Sequence, residues 1–215
     1  MSPLVILAPL LPEAQAFARA FSLPTTFKNR LESNNQITIA CIGLRAKHLD
    51  FMRNLKPRAL ILAGLAGALD PTLKLGDLVS AAPLNLPNLH HGTIHTSPSL
   101  IATPAQKAAL FRQTRALAVD MESAPVHTLA ASLNIPCITL RAISDTAADA
   151  LDPAFLTFID PDGRPKLSAA LAHLVTHPSK LPSMLHIRKA TNLALSNLSA
   201  ALRQLVESNW PSPSH

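Results

Sequence analysis

Apolar runs alternate with punctuated helical stretches along most of the chain. Residues 4–8 form a wholly apolar run that predicts a buried strand. Residues 12–21 predict a helix, with Pro12 suited to its first position and Glu13 to the positive end of its dipole. A polar stretch, 24–36, predicts a hairpin or loop. A strand over 37–43 and a helix over 45–55 follow, then a strongly apolar strand over 59–63. That strand is expected to open into a small-residue loop at 64–67, since three of the six glycines fall between 64 and 76 and mark close backbone approach. A turn at 75–77 leads into another strand, and 81–104 is Pro- and His-rich with one strand near 92–96. A short helix is expected over 106–112.

The stretch 119–145 organises the chain. It reads as a helix carrying Glu122 near its start, a turn at 134–136, and a buried strand ending on Ser144 and Asp145. Beyond it come a turn at 160–165, a helix over 167–176, a break at His177 and Pro178, and an amphipathic helix over 183–208. On that last helix Ile187, Ala190, Ala194, Leu198, Leu202 and Leu205 recur at helical spacing, a stripe that predicts core or dimer interface. Trp210 reads as a packing or interface residue. Strands alternating with helices, several strands apolar throughout, argue an α/β fold with a mostly buried sheet.

At 215 residues and 48% hydrophobic, the chain fits one large domain over 1–210 with a frayed tail at 211–215. No apolar run approaches the roughly 18 residues of a membrane span, and the N-terminus reads as a strand rather than a signal peptide. Cys41 and Cys137 lie in apolar runs and read as reduced thiols, which fits a cytoplasmic protein. The net charge is +6, but the basic residues are scattered and aromatics make up 4%, which argues against nucleic acid. His90, His91 and His95 match no common zinc spacing and read as surface loop. No metal or organic cofactor is expected.

Glu13 after the first strand, Glu122 at a helix start and Asp145 at a strand end place three carboxylates at element termini. One use of such a set is cleavage of a glycosidic bond, in which one group holds the sugar hydroxyls, one protonates the leaving group and one brings the nucleophile. A buried Asp that keeps its proton could protonate a purine nitrogen. The competing reading is structural: a Glu near a helix start serves the dipole, and Ser-Asp after a strand caps the next helix.

The stretches AGLAGALDPTLKLGDLV (63–79), AVDMES (118–123) and LRAISD (140–145) are similar to the three signatures of the nucleoside phosphorylase and methylthioadenosine/S-adenosylhomocysteine nucleosidase superfamily. DPDGRPKL (160–167) and HPSKLP (177–182), followed by the long helix, resemble the hopanoid-associated phosphorylase branch, thought to remove adenine from adenosylhopane. The resemblance implies a nucleoside-phosphorylase-like fold, a central mixed sheet flanked by helices. It implies Asp145 as the acid at the purine N7, helped by Ser144. Glu122 would bind the ribose hydroxyls, Met121 would pack on the sugar, and Glu13 would orient an attacking water. Gly64, Leu65, Ala66 and Gly67 would lie against the sugar and nucleophile, Leu100 and Ile101 against the base. Arg141 would support the site or form a structural ion pair. Phosphate is an open co-substrate, with Arg45 as the candidate ligand; Glu13 at the same spot would repel it.

The departures are Leu65 where many members carry Ser, Gly-Ala at 67–68 for Gly-Gly, and Leu100 in place of the usual aromatic residue. The short 81–104 segment suggests an open, apolar mouth suited to a hydrophobic 5′ substituent. The expected activity is cleavage of an adenine nucleoside, adenosylhopane-type, by a homodimer or higher homo-oligomer. The alternatives are a methylthioadenosine/S-adenosylhomocysteine nucleosidase and a non-catalytic nucleoside- or lipid-binding homologue. Membrane contact is admitted but not predicted, because the last helix has few aromatics and only a moderate basic face.

Overall fold

The computed structural model describes residues 2–34, 36–208 and 210; the 211–215 segment, expected to fray, lies outside the described residues. From the N-terminus the elements are β1 (Leu4–Ala8), α1 (Leu11–Ala20), β2 (Leu31–Ser33), β3 (Ile37–Cys41), α2 (Met52–Leu55) and β4 (Ala59–Ala68). Next come β5 (Leu78–Ser80), β6 (Leu89–His91), β7 (Ile94–Thr96), α3 (Pro104–Thr114), β8 (Ala118–Asp120) and α4 (Ser123–Ser132). The chain finishes with β9 (Cys137–Asp145), α5 (Leu167–Thr176) and α6 (Leu181–Glu207).

Among the described residues the strands form one mixed sheet in the order β2-β3-β1-β4-β9-β5-β6, with β8 beside β4 and β7 beside β8. β3, β1, β4 and β9 are parallel neighbours at its centre, while β2, β5 and β8 pair antiparallel with β3, β9 and β4. All five residues of β1 are buried because both sheet faces are covered. Leu4 and Ile6 join Phe17 of α1 and Leu198 and Leu202 of α6 on one face. Val5 and Leu7 join Met52 of α2 and Val126 and Ala130 of α4 on the other. This is the two-residue alternation of a strand read from both sides.

Three expectations are corrected. Residues 45–55 are not one helix: a 3-10 turn, Leu44–Ala46, is separated from the single-turn α2. Gly43, Arg45 and Ala46 have φ of 78°, 54° and 54°, a left-handed backbone that cannot propagate a right-handed helix. The 64–67 segment is not a loop either, since β4 runs unbroken through Ala68 and pairs with β9 and then β8. Its small residues clear space for neighbouring side chains rather than turning the chain. The irregular region also holds two short strands, β6 and β7, instead of one. α3 starts at Pro104 because Thr103 and Gln106 form a reciprocal cap, the Thr103 hydroxyl accepting from Gln106 N at 3.2 Å and Gln106 Oε1 from Thr103 N at 3.0 Å.

Ala190, Ala194, Leu198, Leu202 and Leu205 of the α6 stripe are buried, and half-buried Trp210 packs on the same core. Ile187 departs from the stripe and faces a cavity described below. The turn after β9 returns to the N-terminal half through Asp162, which takes Arg30 at 3.0 Å and Lys47 and His48 at 2.9 Å each. Leu11 N also donates to Gly163 O at 2.8 Å. Cys41 and Cys137 are free thiols, and no helix among the described residues is long and apolar enough to cross a membrane.

Leu202 is fully buried in the larger core, whereas Leu185 on the same helix is 47% exposed. Leu202→Ala is expected to lower the unfolding free energy by about 2–5 kcal/mol, and Leu185→Ala to change it by no more than about 0.5 kcal/mol, both read from urea midpoints.

Candidate active site

The carboxyl ends of β4 and β9, the end of β8 and the start of α1 meet around one guanidinium. Arg141 of β9 is fully buried. Its Nε donates to Asp120 Oδ2 at 2.9 Å, its Nη2 bonds the same oxygen, and Nη2 also reaches Glu122 Oε2 at 3.3 Å. Asp120 closes β8 and also accepts from the Ser123 hydroxyl. Glu122 sits at the N-cap position of α4, and its Oε1 accepts from the backbone N of Arg45 at 3.1 Å. Glu13, in the first turn of α1, accepts from Leu10 N and Leu65 N, each at 2.8 Å.

One cation among three buried carboxyls leaves negative charge in excess. Burial pushes Glu13 up to about 7, against the pull of the Leu65 N–H, Arg141 and the Leu10 N–H. Burial also raises Glu122, and Asp120 adds to it, against the attraction of Arg141. For Asp120 burial is outweighed by Arg141 and by hydrogen bonds from Ser123 and Arg141, and the carboxyl is held below its ordinary value.

Asp145 is placed by a β-bulge. Ala66 pairs with Ile143 and Gly67 pairs with Asp145, so Ser144 has no partner in the register. The extra residue re-aims the strand end, and both Ser144 and Asp145 reach the cavity. Ser144 Oγ donates to Asp145 Oδ1 at 2.9 Å. Lys107 of α3, fully buried, donates to Asp145 Oδ2 at 2.5 Å and to the carbonyls of Thr146 and Asp149 at 2.6 and 3.1 Å. A Cβ on Gly67 would stand 2.9 Å from Asp145 Oδ2, which accounts for glycine there. A Cβ on Gly64 would overlap Arg141 Nη1 and stand 3.0 Å from Glu13 Oε1.

The cavity these groups surround is about 310 Å³. Of the residues singled out from sequence, Glu13, Leu65, Ala66, Gly67, Leu100, Met121, Glu122, Ser144 and Asp145 line it. Ile101 lines a smaller recess of about 60 Å³ that shares Gly67, Leu100, Met121 and Asp145 with it. Gly64 lies behind the wall, where it gives Arg141 room. Arg45 is not among the residues lining this cavity: its side chain is exposed, its Nε donates to Pro98 O at 3.0 Å, and its backbone N–H donates to Glu122. The expectation that Ser-Asp caps a following helix is also not met, because Asp145 ends on Lys107.

Lys107 and Asp120 were missed as site-supporting residues. Lys107 lies in a helix whose sequence shows no apolar face, so nothing local marks it as buried. Asp120 stands inside the AVDMES stretch two residues before Glu122, a spacing that could have flagged it. The wall also takes Phe155, Ile187, Thr191 and Leu195 from the C-terminal part. A broader concavity of about 580 Å³ lies elsewhere and is lined by His95 and His127 but by no carboxylate.

The fold is the mixed α/β fold of nucleosidase and phosphorylase structures, a central mixed sheet flanked by helices. Residues 80–176 match the sequence profile of the phosphorylase superfamily. The chain is similar to a 5′-methylthioadenosine/S-adenosylhomocysteine nucleosidase of Helicobacter pylori, with TM-score 0.66 and 17% identity over 96% of this chain and 98% of that one. It is similar to the 5′-methylthioadenosine nucleosidase of Arabidopsis thaliana, with TM-score 0.68 and 16% identity over 99% and 97% of the two chains. Among curated proteins it is similar to the aminodeoxyfutalosine nucleosidase of Campylobacter jejuni, 28% identical over 142 residues, 47% of this chain. The match spans 62% of the length of that relative.

Gly64→Ala is expected to push Arg141 off its carboxylates. The unfolding free energy should fall by about 1–3 kcal/mol, as overpacking of a filled interior does, measured by urea denaturation.

Proposed function

We propose that this chain is a nucleosidase of the phosphorylase superfamily that releases adenine from a nucleoside carrying an apolar 5′ substituent. One observation carries the reading. Glu13, Glu122 and Asp145 line a single cavity, and that cavity shares Leu10, Pro12, Phe155, Ile159, Ile187 and Thr191 with an apolar groove of about 360 Å³. The first cavity suits a nucleoside, and the groove suits a chain or ring system attached at its 5′ carbon.

In the reaction, the C1′–N9 bond breaks with its electron pair leaving on the base, and a water oxygen bonds C1′. Asp145 presents a proton to the purine N7. That proton comes from the Lys107 ammonium, which passes one proton through Asp145 Oδ2 to N7 and is left as the neutral amine. Ser144 fixes the other carboxyl oxygen. Glu122 accepts from the ribose hydroxyls, and Met121 packs on the sugar. Glu13 takes the proton that water loses.

Water is favoured over phosphate by the charges. Arg141 is taken up by Asp120 and Glu122, Lys107 by Asp145, and Arg45 points to Pro98. Among the described residues, a phosphate in the cavity would meet Glu13 and Glu122, while the basic groups named are already engaged. The adenosylhopane-type substrate is the specific proposal, supported by the groove. The rival is a 5′-thio-substituted adenosine such as methylthioadenosine, for which the similar nucleosidases reported above are named.

The test is adenine release from 5′-alkyl adenosines of increasing length. Release is expected without phosphate, with kcat/KM rising with chain length; a decline with length would support the rival, and an absolute need for phosphate would overturn hydrolysis. Asp145→Asn and Lys107→Met are each expected to reduce kcat about 100-fold or more, the range of general acid catalysis. Glu13 must be ionised to act as base. With its carboxyl at about 7, kcat/KM is therefore expected to fall as pH drops below 7, about tenfold per pH unit once it is mostly protonated. A rate flat between pH 5 and pH 8, read as roughly constant in the sense of a bell-shaped profile, would remove Glu13 from the base role.

A further inference from the structure

We propose that α5 and the first turns of α6 form a surface that docks on an anionic lipid bilayer, at the mouth of the apolar groove. The account of why this surface lies where it does rests on reading that groove as the 5′ channel; the docking itself is argued from the surface.

None of the ten residues of α5 is buried. Leu167, Leu171 and Val175, four residues apart, are 76%, 63% and 74% exposed. They form one apolar line along the helix. Leu181 and Leu185 repeat the spacing at the start of α6, at 44% and 47%. A ten-residue helix with no buried side chain is marginal in water by itself, and the 3-10 turn Pro153–Phe158 beneath it supplies one ring contact, Phe158 to His173, at 5.2 Å between centroids. Such an exposed row marks an interaction face rather than a solvated one.

The charge around the row selects the partner. No Asp or Glu occurs from residue 163 to residue 206. Arg164, Lys166, Lys180, Arg188 and Lys189 are exposed along the same elements. Asp152 reaches the region from the preceding turn and pairs with Lys180 at 3.3 Å and His173 at 3.6 Å; among the described residues the other cations named form no salt bridge. Apolar side chains set among basic ones fit an interface of acyl chains under anionic headgroups. A second copy of this chain fits worse, because a two-fold contact would set Lys166, Arg188 and Lys189 of both copies together with no acid to offset them.

Position supplies the third argument. Lys166, Leu167 and Arg188 line the groove that runs on to Glu13 and Asp145 through shared walls. Leu167 is at once the start of the exposed row and part of the groove. A bilayer seated on the row would therefore lie against the groove mouth, and an amphiphile with its apolar end in the membrane could present a nucleoside end to the carboxylates.

The test is cosedimentation of the full chain, without nucleoside, with vesicles of phosphatidylcholine alone and of equimolar phosphatidylcholine and phosphatidylglycerol. The wild type is expected to bind the anionic vesicles at least about tenfold tighter than the neutral ones, and to release them at high salt. Leu171→Glu with Val175→Glu, both outside the groove lining, is expected to weaken that binding at least about tenfold. Absence of vesicle binding by the wild type would overturn the proposal, as would binding that the double variant leaves unchanged. Self-association of the wild type that the double variant abolishes, seen in sedimentation velocity, would assign the face to a second copy instead. Adenine release from a water-soluble adenosine derivative, measured alongside, is expected to match between wild type and double variant. Its failure in both would count against the nucleosidase reading and leave the vesicle result standing.

Discussion

Burying a guanidinium is unfavourable unless carboxylates come with it, and that constraint shapes the centre of this protein. Arg141 lies inside β9 with no exposed surface, and its partners arrive from three other elements. Asp120 ends β8, Glu122 precedes α4, and Glu13 adds its charge from α1. Removing one partner would leave charge stranded in the interior. The glycine at 64 follows from the same constraint, since any side chain there would occupy the space of the guanidinium. The ion cluster thus ties strand ends and helix starts together, and it sets three carboxylates, Glu13, Asp120 and Glu122, on the wall of one cavity.

The surroundings of these carboxyls differ, and under the proposed reaction the differences would separate their roles. Glu13 is held by two backbone N–H groups and burial keeps its proton near neutrality. Asp120 also lines the cavity but has its oxygens taken up by Arg141 and Ser123. Asp145 has an ammonium directly upon it. Carboxyls in such unlike surroundings can give and take protons in one reaction without exchanging roles. The bulge at Ser144 is what makes this division geometric, because without the added residue Asp145 would face the other side of β9.

The sheet was legible because its central strands are apolar on both faces, a pattern that few other structures produce. β1, β3, β5 and β9, the turn at Asn134, and the last two helices all fall close to where periodicity puts them. Local pattern failed where a distant side chain decides the backbone. The small residues of β4 look like a flexible loop because a sequence does not show Arg141 and Asp145 pressing on them. Residues 45–55 look helical by composition, yet the backbone at 43–46 bends so that Leu44 N can bond Pro161 O and Arg45 N can bond Glu122. Lys107 is the sharpest case: it is a plain helix lysine until the fold sets it on Asp145. Carboxylates at element ends announce themselves by position, whereas their counter-ions come from anywhere in the chain.

The C-terminal part has a gradient of attachment that matches its place at the cavity. Asp162, with three basic partners, and Gly163, packed against Pro9 and Leu10, pin the turn beside Glu13. Phe155, Ile159 and Ile187 then carry the cavity wall outward into the groove. The later turns of α6 are locked into the main core by Ala194, Leu198 and Leu202. Between these two fixed regions α5 spans the opening with no buried residue of its own. A chain that needed only to close a small nucleoside pocket would gain by burying Leu167, Leu171 and Val175, each a favourable transfer of roughly 1.5–3 kcal/mol. Leaving them outside fits the proposed bilayer contact, which the anchored turn beneath would set in line with the carboxylates.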